Sequence, residues 1–217
     1  MKKIKSIKNI IFDFDGVILD SVSCKTDAFF ELYLPYGKII AEKVKNYHIK
    51  NNGISRFEKF KYWHKEYFNE IISDKKIIEL SNKFSSIVFD KVVNSKEIQG
   101  SLDFIKSNFN KYNYYIISGT PDDEIKKITK ILKIHKFFKE ILGSPKDKIF
   151  WCKYLVDKYS LKKKETLFIG DAISDYQAAK YYDFYFFLIS SKYNDDIFSN
   201  LQLDYRFKNF NSINNYI

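Results

Sequence analysis

The sequence predicts an α/β fold: a mainly parallel sheet whose strands alternate with helices, with an all-helical segment inserted after the first strand. Three observations carry this. Four short apolar runs each stop abruptly in small or polar residues, as buried strands do. Patterns of helical period separate the last three runs, which favours parallel strands joined by crossovers. Residues 21 to about 94 show no strong strand signal, yet keep helical spacing throughout.

The first strand reads from Asn9 to Phe14, with Ile10, Ile11 and Phe12 in a row and Asp15-Gly16 as its stop. The second, Tyr114-Tyr115-Ile116-Ile117, ends in Ser118-Gly119-Thr120-Pro121. The third, Thr166-Leu167-Phe168-Ile169, ends in Gly170-Asp171, and the fourth, Phe184 to Ile189, in Ser190-Ser191. Pro121-Asp122-Asp123-Glu124 opens a helix, since proline suits the first position and acids suit the N-terminal dipole. Ile125, Ile128, Ile131 and Leu132 then give that helix one apolar face. Lys146 to Tyr159 and Ala172 to Tyr182 read as two further helices.

In the inserted segment, Phe57, Phe60, Trp63, Tyr67 and Phe68 recur at helical spacing, with breaks at Asn51-Asn52-Gly53 and Ser73-Asp74. The expected organisation is therefore a core formed by residues 1–20 and 95–217 and a helical unit formed by 21–94. Open parallel sheets place their ligand crevice beyond the carboxyl ends of the strands. The polar stops should thus gather Asp13, Asp15, Ser118 and Asp171 on one rim.

Composition narrows the function. At 217 residues, 45% hydrophobic and 18% aromatic, the chain can bury a core, which excludes disorder as its main state. The formal charge of +10 is spread along the chain, its nearest cluster being Lys162-Lys163-Lys164. Of the 37 basic residues only Arg56 and Arg206 are arginines. That pattern indicates a solvated basic surface and no nucleic-acid partner, while still favouring anionic substrates. Cys24 and Cys152 form no metal-binding or redox spacing, which fits a reduced, cytoplasmic protein. No apolar stretch approaches the roughly 20 residues of a membrane span, so no membrane partner is expected. His48, His64 and His135 share no ligand spacing and read as structural or exposed, and Trp63 and Trp151 as packing residues.

The run Asp13-x-Asp15-Gly16-Val17-Ile18-x-Asp20-Ser21 after a first strand resembles the haloacid dehalogenase superfamily of phosphotransferases. Three further pieces stand in the order that family uses. Ser118, ending a strand in Ile-Ile-Ser-Gly-Thr-Pro, resembles its second motif; Lys146 or Lys148, in Gly143-Ser144-Pro145-Lys146-Asp147-Lys148, its third; Gly170-Asp171-Ala172-Ile173-Ser174-Asp175, its fourth. Gly16-Val17 and the helical insertion resemble the phosphoglycolate phosphatase and β-phosphoglucomutase branch. The resemblance covers the whole chain and implies a Rossmann-like core with a helical cap.

It also implies roles. Asp13 would be the nucleophile that accepts the phosphoryl group, splitting one difficult displacement into two. Asp13, Asp171 and the backbone carbonyl of Asp15 would hold Mg²⁺, an ion that prefers oxygen ligands. Asp175 would join them directly or through a water. Asp15 distinguishes phosphoryl transfer from haloacid chemistry, since the dehalogenases lack this second aspartate. The four carboxylates carry −4, and Mg²⁺ with one lysine returns +3, so a net −1 must receive a dianion. Protonating Asp15 relieves this and equips it as general acid, which predicts a raised Asp15 pKa in the complex. Ser118, Gly119 and Thr120 would bind phosphate at a helix mouth. Lys148 is favoured over Lys146 as third-motif lysine because it lies closer to the helix bearing Phe150 to Tyr159. Gly53-Ile54-Ser55-Arg56 resembles a cap segment whose glycine hinges and whose arginine contacts an anionic group of substrate. The plainer alternative is an exposed arginine starting the helix Phe57 to Phe68.

The function so implied is a Mg²⁺-dependent phosphatase acting on a small phosphorylated metabolite through an aspartyl-phosphate. A sugar-phosphate mutase shares the chemistry, and a non-catalytic phospho-acceptor shares the acidic residues; hydrolysis is favoured over both.

Overall fold

The computed structural model describes residues 3–217. Its centre is a six-stranded sheet, every pairing parallel, in the order β3-β2-β1-β4-β5-β6. The strands are β1 (Asn9–Phe12), β2 (Asn113–Pro121), β3 (Phe138–Ser144), β4 (Thr166–Gly170), β5 (Tyr185–Ile189) and β6 (Tyr205–Phe207). Helices α1 (Val22–Tyr33), α2 (Lys38–Lys50), α3 (Arg56–Phe68) and α4 (Asp74–Val93) fill the interval after β1. Helices α5 (Ser101–Asn108), α6 (Asp122–Ile131), α7 (Lys148–Tyr159) and α8 (Ile173–Tyr181) accompany the sheet.

Alternation along the strands explains the layering, because successive side chains point to opposite faces. Ile10 and Phe12 of β1 join Tyr114, Ile116, Leu167 and Ile169 in a core shared with Phe104 and Ile105 of α5 and Ile125 and Ile128 of α6. Ile11 joins Tyr115, Ile117, Phe168 and Phe186 on the other face, against Cys152 and Leu155 of α7 and Ala178 and Ala179 of α8. Both faces are covered, as parallel sheets require.

The packing among helices α1–α4 is built largely from aromatic rings and is continuous with the core on the α5 and α6 face of the sheet. Phe29 stacks on Phe84 at 4.0 Å between centroids and meets Trp63 edge-on at 5.0 Å. Tyr33 meets Trp63 at 5.3 Å, and Ala41, Val44 and Val88 close the gaps. Among the described residues no helix is long and apolar enough to cross a membrane.

The fold differs from the sequence reading in several places, and the first strand ends at Phe12, not Phe14. Strands β3 and β6 and helix α5 carry no signal in that reading. Both strands are edges, and β3 exposes Lys139 while β6 exposes Arg206, so neither shows a clean apolar run. Strand β2 continues through Ser118 to Pro121 with an irregular register against β3, rather than stopping at Ile117. Pro121 precedes α6 as its cap residue instead of opening it. Helix α7 begins at Lys148, because the Asp147 side chain accepts from the Phe150 N–H at 2.7 Å and caps it there.

Candidate active site

The sheet's connections leave β1 toward β2 on one side, while β4 lies on the other, so the crevice opens above the C-terminal end of β1. The register aligns Phe12 with Ile116 and Ile169, and Asp13 N–H donates to the Ile169 carbonyl at 2.9 Å. Asp13 therefore leaves the sheet between the ends of β2 and β4, which carry Ser118 and Asp171.

Asp13 is buried. Its Oδ1 accepts from the Phe14 N–H at 2.7 Å, and its Oδ2 pairs with Lys148 Nζ at 2.8 Å. Lys148 bridges on to Asp175 Oδ1 at 2.5 Å. The other Asp175 oxygen accepts the N–H groups of Asp171, at 3.2 Å, and Ala172, at 3.0 Å. Asp175 thereby ties the lysine to the loop that carries Asp171. Asp13, Asp171 and Asp175 each offer an oxygen within 4.8 Å of the others, all buried.

Burial pushes the Asp13 carboxyl up to about 7; Lys148 opposes the rise, while Asp175 and Asp15 add to it. Burial and the nearness of Asp13 push Asp171 up as well. Carboxylates crowded in this way, beyond what one lysine neutralises, suit a hard divalent cation with oxygen ligands. Asp13, Asp171 and Asp175 can all offer an oxygen to it, and Asp175, which already accepts from Lys148 and from the N–H groups of Asp171 and Ala172, holds the most donors of its own. Gly16, at φ +76°, belongs to the same fit: a Cβ there would stand 2.3 Å from Asp171 Oδ2.

The Asp15 side chain lies outside this carboxylate group. Its Oδ1 accepts from Ser21 at 2.5 Å, and its Oδ2 accepts from Thr120 Oγ1 at 3.0 Å and pairs with Lys25. Lys25, from α1, also donates to Thr120 Oγ1 at 2.7 Å. Burial alone would raise Asp15, but Lys25 outweighs it, helped by Ser21 and Thr120, and holds the carboxyl below its ordinary value. This corrects the charge tally above, which left Lys25 out. The raised Asp15 pKa expected for a complex is not present in this arrangement.

Ser118 is buried, with its Oγ accepting the Thr120 N–H at 3.1 Å; Gly119 and Thr120 line the cavity. Lys146 stands apart. It is exposed on the loop before α7, with its Nζ 4.8 Å from the centre of the Phe150 ring.

Arg56 is not the exposed arginine of the plainer alternative: it lines the cavity and also holds a carboxylate. It is buried at the start of α3, and its fork grips Glu124 of α6 at 2.7 and 2.9 Å. Ser85 accepts a further bond at 2.7 Å, and the guanidinium lies 4.5 Å from the Phe84 ring centre. The planar fork is thus used between α3 and α6.

Gly53 explains how closely the helical unit is seated. It has φ +81°, and a Cβ there would stand 2.3 Å from Ser174 Oγ and 2.8 Å from the Ala172 Cβ. Any side chain at 53 would lift the unit off the loop that carries Asp171. The cavity between Asp13, Asp15, Asp171 and the helices has a volume of about 50 Å³.

Sequence reasoning missed four cavity-side groups. Lys25, His48 and Lys59 are buried on its wall, and Glu124 holds Arg56 beside it. A lysine in a lysine-rich chain carries no signal by itself. Only the register of α1 against the loop after β1 identifies Lys25.

Comparison with known proteins gives a family and a fold. A family model described as haloacid dehalogenase-like hydrolase matches residues 10–189. No curated protein sequence matches the chain. Among solved structures, a predicted phosphoglycolate phosphatase from Haemophilus somnus aligns with TM-score 0.72 at 18% identity, covering 98% of each chain. A haloacid dehalogenase-like family hydrolase from Streptococcus pneumoniae aligns with TM-score 0.67 at 20% identity, covering 93% of each. A Bacillus subtilis protein classed as a hydrolase of the same type, bound to magnesium and described with interdomain movement, aligns with TM-score 0.68 at 18% identity, covering 97% of this chain and 98% of that one. Identities this low show a shared fold, whereas the family match spans most of the chain. The chain belongs to the haloacid dehalogenase-like hydrolase family.

Proposed function

We propose that this chain is a Mg²⁺-dependent phosphatase that hydrolyses a small phosphorylated metabolite through a phosphoryl group carried on Asp13. The observation that supports this most is the buried Asp13 between Lys148 and the Asp171 loop, facing the cavity that Asp15 and Thr120 also line. Mg²⁺ held by Asp13, Asp171 and the Asp15 carbonyl, with Asp175 behind them, would neutralise the repulsion between nucleophile and phosphate. Lys148 supplies a second positive charge, and Ser118, Gly119 and Thr120 orient the phosphate at the start of α6.

An Asp13 oxygen attacks phosphorus while the ester P–O bond breaks, and the leaving oxygen takes a proton from Asp15. Asp15 then takes a proton from water as that water attacks the aspartyl-phosphate. The bond from Asp13 to phosphorus breaks, and inorganic phosphate leaves. Asp15 must begin protonated, which Lys25 opposes in the closed structure. A phosphate dianion draws the Lys25 ammonium to itself and adds negative charge beside Asp15, and both effects raise the carboxyl. Lys146 has no part in this scheme.

Residues 21–94 act as the cap that opens for substrate and closes for chemistry. The proposed location is the cytoplasm, a reading supported by the two free thiols, Cys24 and Cys152.

A phosphate-release screen over phosphorylated metabolites tests the reading, run with Mg²⁺ and again with chelator. Release from a subset of esters, lost with chelator and restored by Mg²⁺, is expected. No release from any ester would refute it, and conversion of glucose 1-phosphate without release would make the chain a mutase.

A further inference from the structure

The Asp171 loop is held by a side chain from outside its own motif. The ladder between β4 and β5 ends at Gly170 and Leu188. The next residue on each strand, Asp171 and Ile189, gives its carbonyl to Asn194, in the segment after β5. Asn194 Nδ2 donates to the Asp171 carbonyl at 2.7 Å and to the Ile189 carbonyl at 3.0 Å. Its Oδ1 accepts the Ser191 N–H at 2.8 Å. The residue is 3% exposed, and both hydrogens of its amide are used. Only one orientation of that amide satisfies these partners, because a flip would set its oxygen against two carbonyl oxygens. Burying an amide is costly unless it is bonded in this way.

The backbone of Asp171 is held on its other side too. Its N–H donates to Asp175 Oδ2 at 3.2 Å, while Asn194 takes its carbonyl. The two rigid peptide planes that flank the Asp171 Cα are thus each tied to a side chain, and together they set the direction in which the carboxylate leaves the chain. Gly16 leaves the space that the carboxylate fills, since a Cβ there would stand 2.3 Å from Asp171 Oδ2. Oxygens of Asp13 and Asp175 lie within 4.8 Å of it, and like charges at that range repel.

We propose that Asn194 is a positioning residue for the metal centre: its amide holds the Asp171 backbone, so that the carboxylate stays aimed at the cation against the repulsion of Asp13 and Asp175. This rests on the phosphatase reading and adds to it a residue 23 positions beyond Asp171. Asn194 does not line the cavity with Asp13 and Asp15, and it acts through Asp171.

The test is calorimetric titration of Mg²⁺ into wild type, Asn194→Ala and Phe198→Leu. Phe198 is buried in the same segment and stacks on Phe186, so its variant reports the effect of lost packing alone. Loss of a partner behind a metal ligand corresponds to Mg²⁺ binding about 10–100-fold weaker in Asn194→Ala, with Phe198→Leu within about threefold of wild type. The Mg²⁺ concentration that gives half-maximal phosphate release should rise in the same ratio. Wild-type affinity in a folded Asn194→Ala overturns the proposal, as does equal weakening in both variants. If Asn194→Ala does not fold, NMR of isotope-labelled wild type decides. The Asn194 side-chain amide signal should then shift on adding Mg²⁺ with the same midpoint as the Asp171 N–H, and an amide signal that stays in place while Asp171 shifts overturns the proposal. Weakened Mg²⁺ binding in a chain that releases phosphate from no ester would refute the phosphatase reading and leave the positioning role standing. Phosphate release with Mg²⁺ binding unaltered by Asn194→Ala would do the reverse.

Discussion

Replacing Arg56 by methionine separates its position on Glu124 from a role on substrate. Methionine keeps an unbranched apolar stem over Phe84 but leaves Glu124 buried without its cation. Side-chain exposure is 3% for Arg56 and 9% for Glu124, so the pair is buried and the small values typical of surface ion pairs do not apply. Removing one partner of a buried pair costs about 3–5 kcal/mol. At about 2–4 °C per kcal/mol for a chain of this size, Tm should fall by about 6–20 °C. The double variant Arg56→Met/Glu124→Leu removes both charges and should return to within about 1 kcal/mol of wild type, or exceed it. Thermal and urea unfolding of the four proteins of this cycle, with steady-state kinetics on each, measure both consequences. A single variant with Tm within about 2 °C of wild type and KM raised tenfold or more would refute the reasoning. The guanidinium would then face substrate in solution.

Gly53→Ala should lower kcat/KM by about 100-fold, because its Cβ would hold the cap off Ser174 and Ala172 and loosen the site; unchanged kinetics would show that the cap closes elsewhere. Burial would raise Glu124, but Arg56 outweighs it and holds the carboxyl below its ordinary 4.5. The Glu124 contribution is therefore complete above that value and lost as pH falls through the lower folded one. The stability gap between wild type and Glu124→Gln should accordingly shrink on acidification below 4.5, and a constant gap would exclude the pair as its source. Lys25→Met removes the cation that holds Asp15 low, so the basic limb of kcat should move to higher pH if Asp15 is the general acid; an unmoved limb would remove Asp15 from that role.

The central strands β1, β2, β4 and β5 were legible because each is an apolar run ended by small or acidic residues. The same punctuation placed Asp13, Ser118 and Asp171 at strand ends. Edges were not legible. Strand β3, Phe138–Ser144, puts Lys139 and Glu140 in its first half, and β6 is three residues long. The choice between Lys146 and Lys148 turned on one capping side chain, that of Asp147, which sets the start of α7. What stayed hidden depends on contacts between distant segments. Arg56 meets Glu124 across 68 positions, and Lys25 meets Thr120 across 95. His48 and Lys59 are only 11 apart, yet sit on different helices whose packing no periodicity reveals. The single lysine in the charge tally was a consequence, since three more cations converge on the cavity from α1 and α3.

Mass spectrometry of protein acid-quenched during turnover tests the account's central claim most directly. The Mg²⁺-loaded protein, mixed with a phosphate ester that it hydrolyses, should carry one phosphoryl group on the peptide containing Asp13. Asp13→Asn should carry none and release no phosphate. A variant that still releases phosphate at the wild-type rate, or a phosphoryl group found on another residue, would contradict the assignment of Asp13 as nucleophile.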